Sequence, residues 1–282
     1  MQSPCGRMSV GLLRSFGICV ALFYGLATQA QAGTGDLLVA PTRLVLNGES
    51  GGEVNLTNTG DDISTYRISL VLRRMDEQGR INAVDETTAT GPEAAALEMI
   101  TYAPRKVVLG PHENQTVRIG VRLPPGLPDG EYRAHMLFRA VPKVEAAENE
   151  AGDAGGGLKI SLTPIYGVTI PVIVRHGDLS ATARLEKANV VQTENGPALS
   201  FDLVREGNRA IYGDIDVMHA NSNTPVFSSK GLAAYTEVGR RSVMLQLNPQ
   251  QAQAMQSGLI VRYTERAGDK PLVSETTLKI DP

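Results

Sequence analysis

From Leu158 to Val174 every second residue is apolar: Leu158, Ile160, Leu162, Pro164, Tyr166, Val168, Ile170, Val172 and Val174. Side chains of an extended chain alternate between two faces, so this segment carries one apolar stripe along roughly 55 Å at ~3.3 Å per residue. Ordinary strands run about five or six residues. The excess length predicts that one end pairs within its own sheet while the other is left for something else. Immediately upstream, Glu145 to Gly157 (EAAENEAGDAGGG) holds four acidic groups and no aromatic or branched aliphatic residue. Such a composition buries too little apolar surface to offset the entropy of ordering, so the strand is expected to hang on a loose tether. An exposed apolar edge invites aggregation unless it is managed. Where one persists, adding a strand to a partner is the leading functional explanation. The competing reading is a structural spine, with every apolar side chain of the long strand buried internally.

The N-terminus reads as a targeting segment. Arg7 and Arg14 precede the apolar run Phe16 to Leu26, and Ala30-Gln31-Ala32 is a small-x-small cleavage signal before Gly33. That run is too short to span a bilayer. Residues 1–32 are therefore expected to be a cleavable signal peptide, with Met8 an alternative start. Both cysteines, Cys5 and Cys19, fall inside it. The processed chain then has no thiol for a disulfide, a zinc site or nucleophilic catalysis. A two-arginine signal without disulfides downstream fits a bacterial periplasm better than a eukaryotic secretory route. Loss of Arg7 and Arg14 takes the formal charge from −3 to −5, which disfavours nucleic acid.

Gly33 to Pro282 is 250 residues, enough for one large domain or two smaller ones. Its Val, Leu, Ile and Thr, broken by frequent Gly and Pro, predict short strands joined by turns. Asp36 to Leu46 is apolar and interrupted by Pro41, which suggests a strand that switches sheets. Glu53–Asn58, Thr65–Met75, Pro104–Leu109, Gln115–Leu123 and Glu131–Val141 read as further strands. The Asp76–Gly79 stretch suits a hairpin turn, and Tyr132 follows an Asp-Gly turn where a corner-type hydroxyl bond is expected. After Arg175-His176-Gly177-Asp178 a second series begins: Leu179–Val191, Ala198–Arg205, Ile211–His219, Leu232–Glu237, Arg241–Leu247, Gly258–Thr264 and Leu272–Ile280. Pro249–Gln256 reads as a helical turn. The expected fold class is all-β, two immunoglobulin-like sandwiches in tandem, with domains over 33–176 and 177–282.

Chemical constellations are sparse. His112, His135, His176 and His219 lack metal-type partners at short spacing, and no nucleophile elbow, phosphate loop or zinc-protease motif is present in the processed chain. Asp202, Asp214 and Asp216 occupy alternating strand positions of the kind that face water. No catalytic set stands out, and a hydrolase on a sandwich scaffold is the least supported reading. Arg43 is different, because it lies in an apolar strand beside a proline break, where a charge needs a partner or an anionic ligand.

Four segments together, VAPTRLVL, TYRISL, Pro104 through Arg122 and the strand ending VIVRHG, resemble the periplasmic pilus-assembly (fimbrial) chaperones of the PapD type. The resemblance spans Leu38 to about Gly177, and beyond that rests on strand count and length. It implies an L-shaped pair of immunoglobulin-like domains whose first domain lends a strand to a pilus subunit and delivers that subunit to an outer-membrane usher. The groove-filling residues would be Leu158, Ile160 and Leu162, with Pro164 or Tyr166 as extensions. Arg43 matches the family's first-strand arginine, which grips the subunit's terminal carboxylate between the domains. The family's second base is a lysine about four residues before an arginine. With Arg175 as that arginine, Pro171 stands in the lysine's place, and Arg175, Lys159, Arg133 or Arg139 are the available substitutes. No cofactor, nucleotide or metal is implied, and self-capping into a homodimer is a further use of the same strand. The alternative is a structural or adhesive envelope protein that lends no strand.

Overall fold

The computed structural model describes residues 36–142, 164–222, 224–256, 258–266 and 271–279. The expected signal peptide, the acidic stretch, Leu158, Lys159, Ile160 and Leu162 lie outside the described residues.

Strand β1 (Leu37–Ala40) stops at Pro41, which has no amide hydrogen with which to continue a ladder. Past the break, β2 (Leu44–Asn47) joins a different sheet, as the proline-interrupted pattern indicated. One sheet orders β1, β3 (Gly52–Asn58), β8 (Asn114–Val121) and β6 (Ile100–Ala103). The facing sheet orders β2, β10 (Gly167–His176), β9 (Gly130–Val141), β4 (Ser64–Met75) and β5 (Ile81–Val84), with β7 (Lys106–Leu109) also on β4. The period-two alternation does what it must. Val54, Leu56, Val117 and Ile119 from the first sheet meet Tyr66, Ile68, Met136, Phe138, Ile170, Val172 and Val174 from the second in one buried core.

Two local expectations hold. The amide of Asp76 donates to the Arg80 carbonyl across a hairpin in which Gly79 takes a positive φ of 78°. The Tyr132 hydroxyl donates to the Pro128 carbonyl at 2.7 Å, fixing the corner at the start of β9. Strands β5 and β6 had no counterpart in the expected pattern, and neither did α1 (Gly91–Met99), opened by a Thr90–Glu93 capping box and a proline in its first turn. The helix buries Ala96 and Met99 against the first core.

The second series forms a three-stranded sheet of β11 (Ala181–Thr193), β12 (Gly196–Gly207) and β15 (Arg240–Gln246). It faces a four-stranded sheet of β14 (Phe227–Ala234), β13 (Ile211–Met218), β16 (Ile260–Glu265) and β17 (Val273–Thr277). Leu199, Phe201, Leu203, Ile215, Val217, Val261 and Tyr263 make their shared core, and α2 (Pro249–Ala254) supplies the helical turn. The fourth strand sits upstream of the expected Leu232–Glu237. Asp202 is also not the water-facing carboxylate expected; it is nearly buried, held by Arg240 and the Ser242 hydroxyl.

The sandwiches meet at a third apolar cluster. Ile173 of β10 points away from its own core and packs with Met75, Ala210, Ala233, Tyr235 and Val238. Strand β10 therefore buries one face in the first core and, near its C-terminal end, the other face in the seam. We predict that Ile173→Ala costs about 2–4 kcal/mol, read as a lower denaturation midpoint, because it opens a cavity at fully buried volume. An unchanged midpoint would show that the seam is not packed.

Candidate functional site

Strand β10 is unevenly paired. On one side β9 matches it antiparallel from Gly167 to His176, and the Ala140 amide extends that ladder by donating to the Tyr166 carbonyl at 2.9 Å. On the other side β2 pairs parallel with Val172 to Arg175 alone. From Gly167 to Pro171 that second edge has no strand beside it among the described residues. Backbone donors and acceptors on such an edge are a template for another extended chain.

Side chains on the even-numbered face change environment along the same strand. Val174, Val172 and Ile170 are at most 1% exposed, whereas Val168 is 36% and Tyr166 50% exposed. The apolar stripe thus runs out of the core into solvent without a break in register. Pro164 and Tyr166 precede the strand and are exposed, so the described strand begins later than the alternation from Leu158 suggested.

The odd-numbered face carries charge. Cross-strand register aligns Val71 of β4, His135 of β9 and Pro171 of β10, and the next level toward the seam holds Arg133 beside Ile173. Arg43, in the turn between β1 and β2, immediately precedes Leu44, which pairs with Val172. Its guanidinium lies over the Tyr212 ring at 4.7 Å and the Tyr235 ring at 5.5 Å and donates to the Tyr235 hydroxyl at 3.3 Å. Both rings belong to the second sandwich. Cation–π contacts orient a guanidinium without neutralising it. No carboxylate pairs with Arg43 among the described residues.

The substitutes proposed for the missing lysine fare differently. Arg175 donates its Nε to Glu131 Oε2 at 3.2 Å, and that oxygen also accepts the Ala210 amide. The Glu131 carboxylate is almost wholly buried. Arg175 is thereby tied to the seam through its Nε. Arg133 is likewise engaged: it grips Glu237 with both terminal nitrogens, stacks on Tyr235 at 3.7 Å and donates to the Arg73 carbonyl at 3.0 Å. Arg139 is exposed and stands opposite Gly167, and Lys159 lies outside the described residues.

Two residues unmarked in the sequence join the site. Arg73 is half-buried with no ion pair of its own side chain among the described residues, and His135 is buried with no hydrogen-bond partner for its Nδ1. Burial above all, then the fields of Arg133, Arg73 and Arg43, hold the His135 imidazole down at about 3. It is neutral at physiological pH and adds a polar group without a further charge. The alternation of Arg133, His135, Leu137 and Arg139 against Tyr132, Ala134, Met136 and Phe138 was the available signal for a polar outer face on β9. Tyr212 and Tyr235 gave none.

His135 sets an acid limit on stability. Its native pKa lies below the ordinary 6.5, so the unfolded chain takes up a proton that the native state refuses. The contribution is complete above pH 6.5 and is lost as pH falls toward 3. Between pH 7 and pH 5 the unfolding free energy is expected to drop by about 2 kcal/mol more in the parent than in His135→Gln, measured by denaturant titration. Equal acid sensitivity would contradict a buried neutral imidazole.

No family model matches the chain, and no curated protein matches it. Among solved structures it is similar to the YadV chaperone, at 13% identity and TM-score 0.46, over 86% of this chain and 100% of that one. It is similar to a chain of the CsuC–CsuE chaperone–tip adhesion subunit pre-assembly complex of Acinetobacter baumannii, at 12% identity and TM-score 0.45, over 87% and 99%. It is also similar to the CupB2 chaperone of Pseudomonas aeruginosa, at 12% identity and TM-score 0.44, over 86% and 100%. Two of these three are described as chaperones and the third as a chaperone complex of archaic chaperone-usher Csu pili.

Proposed function

We propose that the protein is a periplasmic chaperone of surface-fibre assembly, which binds pilus or related subunits by lending them a strand and passes them to an outer-membrane usher. One observation carries this reading: the apolar face of β10 leaves the core between Ile170 and Val168 at the same place where its second edge loses β2. Among the described residues, apolar side chains and unpaired backbone are then offered together, which is what an incomplete sandwich needs in order to be completed. In this reading residues 1–32 direct export and are removed, 33–176 form the lending domain, and 177–282 form the second domain.

Leu158, Ile160 and Leu162 would continue the stripe into the subunit's groove, with Pro164 or Tyr166 extending it. Each large side chain so buried contributes about 1.5–3 kcal/mol, and association costs consume part of the sum. The complex is then stable yet exchangeable by a better-fitting strand. Arg43 is the cation for a terminal carboxylate. The two tyrosine rings hold it in place, and its charge is unanswered by any carboxylate among the described residues. A charge-assisted bond at that point fixes the register of everything downstream.

Ile160→Asp and Leu162→Asp are expected to abolish capture of a co-expressed fibre subunit while leaving the melting temperature unchanged, whereas polar changes at Ser161 or Thr163 leave capture intact. Normal capture by both Asp variants would rule out this stripe. Arg43→Ala is expected to weaken the purified complex by about tenfold to a hundredfold. If affinity is unchanged, the carboxylate is held elsewhere. A dimer of the chain alone that dissociates when subunit is added would identify self-capping at the same edge.

A further inference from the structure

Outward from His135, the same sheet face carries a second group of cations that the carboxylate anchor does not use. Register places Lys106 of β7 opposite Arg67 of β4, and Arg67 opposite Arg139 of β9. Three cations therefore stand in one line across three neighbouring strands, on one face, all exposed. Directly opposed side chains have Cβ atoms about 4.5–5.5 Å apart, and like charges so placed destabilise a sheet. Several other arginines are answered by a carboxylate: Arg74 is gripped by Glu93, Arg209 by Glu265 and Arg262 by Glu275. None of the three in this line has an ion pair among the described residues.

The line has a direction. Beyond Arg139 its next member is Gly167 of β10, which has no side chain, and Gly167 is where the open edge begins. A side chain at that position would press on Leu137, with which even a Cβ would come to 3.1 Å. The glycine leaves the position between Arg139 and any strand added at the edge without a side chain, and that strand would lie two strand spacings, about 9.6 Å, from β9. A long arginine and an acidic side chain reaching toward each other span that distance.

We propose that the Lys106–Arg67–Arg139 line recognises an acidic side chain on the outward face of the strand that pairs with the open edge of β10, and so selects partners by charge as well as by apolar fit. The inference rests on the strand-lending reading and names the chemistry of its partner. An added strand that buries its apolar residues along the Val168 stripe turns its alternate residues outward, and the one beside Gly167 meets the end of the cationic line. A Glu or Asp there relieves the repulsion among the three cations, while a Lys there worsens it.

The test uses three synthetic peptides of alternating pattern, Val on one face and Glu, Ser or Lys on the other, with affinity for the full chain read by fluorescence anisotropy. Copies N-methylated at alternate amides report whether binding uses the sheet edge. The Glu peptide is expected to bind about fivefold tighter than the Ser peptide and the Lys peptide more weakly than either, as solvent-exposed ion pairs allow. High salt, or the triple variant Arg67→Gln, Arg139→Gln and Lys106→Gln, should erase the ranking while the Ser peptide binds as before. Equal binding of Glu and Ser peptides, both abolished by N-methylation, would overturn acid recognition and leave strand lending standing. Binding that N-methylation does not affect, or no binding at all, would overturn both. A Glu preference that emerges only after Glu145, Glu148, Glu150 and Asp153 are neutralised would show that the chain's own acidic stretch occupies the line, and would equally overturn the proposal.

Discussion

Everything functional in this molecule follows from one mismatch in strand length. Strand β9 supports β10 along its whole described length, while β2 supports it over four residues, Val172 to Arg175. Pro41 causes the shortfall, because a strand that must break and cross to another sheet has only Leu44 to Asn47 left for this one. A sandwich that completed this edge would be an ordinary closed module. Among the described residues its ladder ends unpaired where its apolar stripe becomes exposed, an arrangement that costs solubility unless something covers it.

The seam with the second sandwich gives that edge a fixed setting. Ile173 and Met75 bury apolar surface against Ala210, Ala233, Tyr235 and Val238, and two ion pairs, Arg133–Glu237 and Arg175–Glu131, bridge the same region. Buried ion pairs of this kind fix geometry more reliably than they add stability. Their effect on charge matters as much. With both carboxylates engaged, Arg43 and Arg73 stand near a neutral His135 with no carboxylate partner among the described residues.

How much of this could be read from sequence depended on whether the signal was periodic or tertiary. Alternation identified the core face of β10 and nearly all strands of the second sandwich, because a half-buried strand must alternate. Strand β14 was displaced because Phe227-Ser228-Ser229-Lys230 has little alternation; β13 fixes it by pairing, with a register shift between Gly213 and Ile215. Helix α1 went unseen although Thr90 and Glu93 spell its cap, since Ala94-Ala95-Ala96-Leu97 is apolar without a helical stripe. Arg43 was legible as a charge stranded in an apolar segment. Its aromatic cradle was not, because Tyr235 is 192 residues away. The ion pair of Arg175 was not legible for the same reason: Glu131 becomes its partner only once the β9–β10 register places them opposite each other.

The central claim is that the edge of β10 is open in the free protein and closed in the complex. Residue-resolved amide hydrogen exchange tests it directly, with the outward-directed amides between Gly167 and Thr169 compared with those from Val172 to Val174. The account predicts rapid exchange in the first group and strong protection in the second for the free chain, with protection spreading to the first group when a fibre subunit is bound. Strong protection of Gly167 to Thr169 in the monomeric free chain would mean that the edge is already paired within the molecule, and would contradict the account.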